Sequence, residues 1–358
     1  MRIVLLTLTR GSVSGGFRKY LECLVPLLRS EPGVECVEVF VPPQMVRPGY
    51  RTWPQGDDLR GFRELPRAVA ALEPDVIFIP TARVLRAGRT PVVTMVRNME
   101  PLEVPFGGNT LAEGLKNVAR AAAARMACRH ADRVIAVSRH VRDFLVERWH
   151  IPEERIGTVY HGIDEPGNTS AVPLTQERFL FTAGSIRPAR GLEDVIEALA
   201  ELPEDLHLVV AGAVDRGAEH YAARMRSLAG KKRVAARIKW AGHLDVASMS
   251  WCFRNAAAFV MTSRAEACPN TVLEALANGA VSVSTDHPPM PEFFVDAAAY
   301  YSERDPGHLA AQLRHVLELP ESAREERREA ARARAADFTW QATARATVAE
   351  LQRAIAKP

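Results

Sequence analysis

The chain has 358 residues, 47% hydrophobic and 25% charged, with a formal net charge of +3. That length is too great for one ordinary core and fits two domains of about 150 to 200 residues each. No apolar run approaches the roughly 20 residues of a membrane span, and the mild positive charge points only weakly to an anionic partner. Five cysteines without C-x-x-C spacing or a histidine at metal spacing indicate neither a disulfide framework nor zinc.

In chain order, MRIVLLTLTRG has too short an apolar run for a signal peptide and lacks a small-residue cleavage site. It reads as a first strand, and the chain is expected in the cytoplasm. Apolar strand patterns then alternate with helical ones: GFRKYLECLVPLL as helix, CVEVFVP, DVIFIP, PVVTMV and RVIAVS as strands. Residues Leu111 to His130 form a helical stretch with Lys116, Arg120, Arg125 and Arg129 at near-helical spacing and no large apolar residues expected on the opposite face. A basic face of that kind makes an anionic membrane surface a candidate partner. Gly162 to Arg178, rich in Gly, Pro, Ser and Thr, reads as a linker. Beyond it the alternation resumes with FLFTAG, EDVIEALAEL, LHLVVAG, IKWAG, AAAFVMTS and VSVST. Residues 320 to 336 carry mixed charges and alanines and read as a solvated helix, not a nucleic-acid site. The expected fold class is α/β with two doubly wound, Rossmann-like domains facing a central cleft and ligands at the carboxyl ends of the strands.

Three segments carry chemistry. In EACPNTVLEALANGA, Glu266 precedes a helix start and Glu274 falls one turn inside it; Asn270 reads as the N-cap, and Thr271, Val272 and Leu273 would offer unpaired amides to an anion. Eight residues at 3.6 per turn cannot place both carboxylates on one helix face, so Glu266 acts from the loop with Ala267, Cys268 and Pro269. In FTAGSIRPARG, Arg187 and Arg190 follow a strand and precede a helix expected near Leu192, which suits a diphosphate bound through charge-assisted bonds. Near the N-terminus Gly15 and Gly16 let backbone amides approach a phosphate, without the spacing of a G-x-G-x-x-G fingerprint.

The Glu-x7-Glu pattern followed by ALANG and VSVS resembles the donor-site signature of retaining glycosyltransferases of family 4, which have the GT-B fold; the surface-polysaccharide and lipopolysaccharide subgroup is the nearest in its CPN loop and PPMPE segment. The resemblance implies that Glu266 binds hydroxyls of the transferred sugar and Glu274 the ribose of the nucleotide. It also implies that the loops at Gly212, Gly242 and His243 surround the base, and that Gly15 and Gly16 belong to an N-terminal glycine loop. Domain bounds of 1–165, 166–339 and 340–358 follow, the last being a helix that returns to the first domain with Trp340 at the bend.

Two departures stand out. Ser185 occupies the family's first basic position and Arg190 its lysine, while Arg97 and Asn98 stand where many relatives have a sugar-contacting histidine. Asn98 is the residue left to bond a sugar hydroxyl there, and His161, where relatives usually have asparagine, is expected in a structural loop role. The implied function is hexosyl transfer from a nucleotide-diphosphate sugar to a glycan or lipid-linked acceptor, with no metal and no other cofactor, in the cytoplasm or peripheral to the inner membrane face. A non-catalytic subunit that binds sugar nucleotides is the alternative. An NAD-dependent oxidoreductase is disfavoured by the absent glycine fingerprint.

Overall fold

Runs of Val, Ile, Leu and Phe that are buried on both faces form the strands, as parallel sheets covered on both sides require. The structure, a computed structural model, describes residues 1–8, 15–42, 45, 47–52, 59–171 and 178–356, the side chains of 59–63 excepted. Strands β1 (Arg2–Leu6), β2 (Cys36–Val41), β3 (Arg51–Thr52), β4 (Val76–Ile79), β5 (Val92–Val96), β6 (Arg133–Ala136) and β7 (Ile156–Thr158) build one sheet. Its order is β3-β2-β1-β4-β5-β6-β7, with every neighbouring pair parallel. Strands β8 (Phe179–Ala183), β9 (His207–Ala211), β10 (Ile238–Gly242), β11 (Ala258–Met261), β12 (Ser282–Thr285) and β13 (Ala298–Tyr301) build a second parallel sheet, ordered β10-β9-β8-β11-β12-β13. Each sheet reverses its order once, at β1/β4 and at β8/β11. At such a point the two flanking crossovers run to opposite faces and leave a crevice at the carboxyl ends.

The chain divides into two compact units: Met1–Met99 with Val118–Gly162 and Thr339–Pro358, and Glu100–Asn117 with Ile163–Phe338. In the first unit the final helix, Trp340–Ile355, is capped by Thr339, whose hydroxyl accepts from Ala342 N at 3.1 Å. It packs on the helix Gly15–Ser30 and on β4, β5 and β6. Glu350 lies almost wholly buried and accepts from Arg133 of β6 at 2.6 Å. Gly157 of β7 is bare there because a Cβ would stand 2.1 Å from the Glu350 carboxyl carbon. At the other end Thr343 Oγ1 donates to the Tyr160 carbonyl at 2.9 Å, and a Cβ on Gly162 would meet the Trp340 nitrogen at 2.3 Å. His161 is buried beside the Tyr20 ring, with centroids 4.9 Å apart.

Several expectations need correction. The helix Leu111–His130 turns Gly114, Asn117, Ala124, Ala127 and Cys128 inward and leaves Leu111, Leu115, Val118 and Met126 exposed. The four basic residues therefore do not share one face: Arg125, five positions after Arg120, is half-buried, and large apolar side chains occupy the surface. Strands β3, β7 and β13 did not figure in the sequence pattern because they are short or built from Gly and Ala.

Candidate functional site

The carboxyl ends of β8 and β11, at the switch point of the second sheet, converge on Arg190. A short 3₁₀ turn, Pro188–Arg190, links β8 to the helix Leu192–Leu199. Gly191 closes the turn at φ +65°, where a Cβ would stand 2.3 Å from the Thr262 carbonyl. Thr262 Oγ1 donates to the Arg190 carbonyl at 2.8 Å, and Arg264 N to the Ala189 carbonyl at 2.8 Å. The turn is thus stitched to the chain leaving β11.

The Arg190 side chain is only 7% exposed. Its Nη1 donates to Ser263 Oγ at 2.8 Å and lies 3.3 Å from Glu266 Oε1. Its Nη2 passes beneath Gly184, where a Cβ would be 2.0 Å away and the backbone sits at φ +125°. The buried Nε has no hydrogen-bond partner among the described residues. Burial pulls the guanidinium below its ordinary range; Glu266 opposes this and Arg187 adds to it. Arg187 is also desolvated, but Glu100, Glu266 and Asp215 outweigh burial and raise it. Its Nη1 pairs with Glu100 at 2.9 Å and Asp215 at 3.8 Å. Two guanidiniums and one loop carboxylate thus meet at one strand end, with one buried N–H unanswered.

The neighbouring loops are laced to this centre. Ile186 N donates to the Ala213 carbonyl at 2.8 Å, Asp215 N to the Ile186 carbonyl at 3.2 Å, and Gly212 N to the Gly242 carbonyl at 2.7 Å. A Cβ on Gly212 would stand 2.0 Å from the Gly184 oxygen, so glycine is needed where the β8 and β9 loops touch. Gly242 is at φ +65° with open space around it, and His243 is exposed. After Glu266 the chain buries Ala267, Cys268 and Pro269.

The helix Asn270–Ala277 begins one residue earlier than expected. Pro269 holds the cap position without a side-chain bond, so Asn270 is the first helical residue and not the N-cap. The shift changes which amides are used: Val272 N and Leu273 N both donate to the Pro269 carbonyl, at 2.9 and 3.2 Å, and do not offer free N–H groups. Thr271 and Glu274 are half-buried, and the Glu274 carbonyl accepts from Asn278 Nδ2 at 2.9 Å.

The second unit therefore brings together Arg187, Arg190, Glu266, Gly212 and Gly242. Gly15, Gly16 and Asn98 belong to the first unit. There Gly15 and Gly16 open the first helix and are not a turn before it; residues 9–14 lie outside the described residues. Asn98 is exposed after β5, and the Arg97 guanidinium rests 4.3 Å over the Phe17 ring.

Sequence reasoning missed Ser263, Thr262 and Glu100, which orient or neutralise the two arginines. Ser263 and Thr262 had one signal, hydroxyl residues following an apolar strand; Glu100 had none. A small hollow of about 120 Å³ lined by Val104, Gly107, Gly108, Ala189, Arg264 and Arg304 holds none of the expected site residues. Among the described residues no group of three or more His, Cys, Asp or Glu is placed to hold a metal, and no helix is long and apolar enough to cross a membrane.

Two parallel sheets with the same single reversal, and polar loops gathered at the strand ends, define a pair of Rossmann-like domains of the GT-B class. Residues 20–165 match the Glycosyltransferase Family 4 model and residues 169–334 the model for Glycosyl transferases group 1, two glycosyltransferase models that take up one of the chain's sheets each. A glycosyltransferase from Rickettsia africae superposes with a TM-score of 0.78 at 15% identity, over 100% of this chain and 99% of that one. The Anabaena protein Alr3699/HepE, solved with UDP-glucose, superposes with a TM-score of 0.77 at 15% identity, covering 99% and 100%. Glycogen synthase of Mycobacterium tuberculosis is 29% identical over 233 residues, 61% of this chain and 53% of that protein. The chain spans about half the length of the curated relatives it matches.

Proposed function

We propose that the protein is a retaining hexosyltransferase that moves a sugar from a nucleotide diphosphate to a glycan or lipid-linked acceptor of the cell envelope. The observation that carries this reading is Arg190: a buried cation with an unanswered Nε, at the carboxyl end of the second sheet's switch strands, 3.3 Å from Glu266. A buried guanidinium offset by one carboxylate at that distance is under-compensated, and a phosphate oxygen would supply the missing acceptor.

Glu266 fits the hydroxyls of the transferred sugar. It is fixed in place by the same arginine that would meet the phosphate, which couples sugar position to leaving-group charge. Glu274 is assigned the ribose, and the loops at Gly212, Gly242 and His243 the base. Asn98, Gly15 and Gly16 are assigned to the donor from the first unit. In this reading the bond from the anomeric carbon to the phosphate oxygen breaks as the acceptor oxygen bonds on the same face, and the acceptor's proton passes to the departing phosphate. The arginines stabilise the negative charge that develops there, so the mechanism calls on no metal and no protein nucleophile. The reaction is read as cytoplasmic.

Thermal unfolding against UDP, GDP, dTDP and ADP tests the donor assignment: a nucleotide at 100 times its dissociation constant stabilises by about 2.7 kcal/mol. Glu274→Ala should remove that shift, whereas Glu266→Ala should keep it and slow release of sugar from the donor. No shift with any of the four nucleotides, or unchanged behaviour of both variants, would sink the proposal. A shift with no turnover of any donor would favour the non-catalytic alternative.

A further inference from the structure

The helix Leu192–Leu199, which follows the Arg190 turn, starts without a cap of its own. Gly191 holds the cap position with no side chain to accept a hydrogen bond, and the Thr262 carbonyl, 2.3 Å from where a Cβ would stand, keeps it glycine. The first helical amide, Leu192 N–H, is nonetheless buried and needs an acceptor. That acceptor comes from a different helix, Glu219–Lys231: the Tyr221 hydroxyl takes the Leu192 N–H at 3.0 Å and donates its own proton to Glu193 Oε2 at 2.7 Å. Tyr221 is wholly buried, and burial, reinforced by the Glu193 charge, raises its pKa above the ordinary phenol range, so the hydroxyl keeps the proton it donates.

A wider network holds these two bonds. Glu193 Oε1 accepts from Arg224 Nη2 at 2.7 Å, and its other oxygen lies 3.7 Å from Arg264 Nη2, which donates to Asp194 Oδ1 at 3.1 Å. Arg264 stands two residues before Glu266, while Leu192 and Glu193, the partners of Tyr221, stand two and three residues after Arg190. The segments that bear Arg190 and Glu266 are thereby joined a second time, through different residues. The Arg190 side chain meets Ser263 and Glu266 through a single nitrogen, so its aim depends on where the turn holds its backbone.

We propose that Tyr221 is a positioning residue for Arg190: its hydroxyl caps the Pro188–Arg190 turn from a neighbouring helix and sets the guanidinium against Glu266 and the departing phosphate. The inference rests on the proposed function, which assigns Arg190 to that phosphate. Tyr221 acts through the Leu192 amide and Glu193, not through contact with the donor.

A double-mutant cycle with Arg190 tests it. Tyr221→Phe removes one oxygen and keeps the ring, so the core around it stays filled. Wild type, Tyr221→Phe, Arg190→Ala and the double variant are compared for release of sugar from the donor, at a temperature below the melting point of all four. Tyr221→Phe should lower kcat about 10- to 100-fold, the scale of a misplaced reacting group, while the donor KM stays within about twofold. In the Arg190→Ala background the same substitution should change kcat by less than about twofold, because the group it positions is gone. Equal effects in the two backgrounds would overturn the positioning role and leave the donor assignment standing, as would an unchanged kcat in Tyr221→Phe alone. Normal turnover by Arg190→Ala would instead remove the donor assignment, and the positioning role with it. If no donor turns over, the cycle is read by calorimetry on UDP, GDP, dTDP and ADP, since a free nucleoside diphosphate carries the full leaving-group charge. The same non-additivity is then expected in affinity, and additive losses, or no binding of any of the four, would overturn the inference.

Discussion

Among the described residues, two buried arginine–glutamate pairs differ in completeness. In the first unit Arg133 gives Nε and Nη2 to one Glu350 oxygen at 2.8 and 2.6 Å and its Nη1 to the Glu154 carbonyl, while Arg353 holds the other carboxylate oxygen. In the second unit Arg190 reaches Glu266 through one nitrogen at 3.3 Å, spends the same nitrogen on Ser263, and leaves Nε unanswered. Identical chemical groups at similar depth thus serve opposite ends. The closed pair fastens a helix to a sheet; the open one keeps unspent bonding capacity where the switch-point crevice lies. Burial alone does not separate a strut from a binding group, whereas an inventory of donors does.

The comparison predicts where each substitution registers. Glu350→Ala strands Arg133 and should cost about 3–5 kcal/mol of stability, seen as a lower urea midpoint for the first unit with nucleotide affinity unchanged. If donor turnover fell while stability held, the two pairs would not divide as argued. Arg190→Ala should show the reverse, lowering turnover by about 10²–10³-fold, on the scale of a lost charge-stabilising donor, with little change in the urea midpoint. Gly184→Ala places a methyl over the Arg190 guanidinium at a backbone angle that L residues avoid. It should cost about 1–3 kcal/mol and raise the donor KM, and steady-state kinetics beside a melting curve will separate the two effects.

The smallest effect concerns Asp194, a third buried carboxylate. It accepts from Arg264 at 3.1 Å and from the Tyr301 hydroxyl at 3.0 Å. Burial raises its pKa against the pull of those partners. The folded value therefore lies above the unfolded one, so its contribution to stability is full below pH ~4 and is lost as pH rises through the folded value. Asp194→Asn has no proton to lose there, so its stability deficit should shrink between pH 4 and pH 7 in urea titrations. A deficit that widens with pH would show that Arg264, not burial, governs this carboxyl.

Much of the fold was legible because parallel strands buried on both faces read as unbroken apolar runs; IVLLTL, DVIFIP and FLFTAG each became a strand at or within two residues of the expected place. Strand β7 escaped because Gly157 is dictated by Glu350, nearly two hundred residues away, and β13 because Ala298–Tyr301 lacks β-branched residues. The candidate site was legible as two separate segments. What joined them was the adjacency of β8 and β11, a long-range pairing with no periodicity to betray it. The N-cap error at Asn270 has a local cause: Pro269 cannot donate a backbone hydrogen bond but can start a helix with its carbonyl. Glu100 stayed hidden because its partner, Arg187, is brought to it only by the tertiary fold.

The attachment of the last helix also has a consequence for biosynthesis. As the polypeptide leaves the ribosome, the strands of the first sheet emerge early, but the carboxylate that neutralises Arg133 arrives at residue 350, after every strand of the second sheet. The first sheet is therefore completed only after the second has emerged. Until Glu350 arrives it carries an uncompensated interior cation and a bare helix-binding surface, the condition in which nascent chains are most exposed to aggregation and most dependent on chaperones.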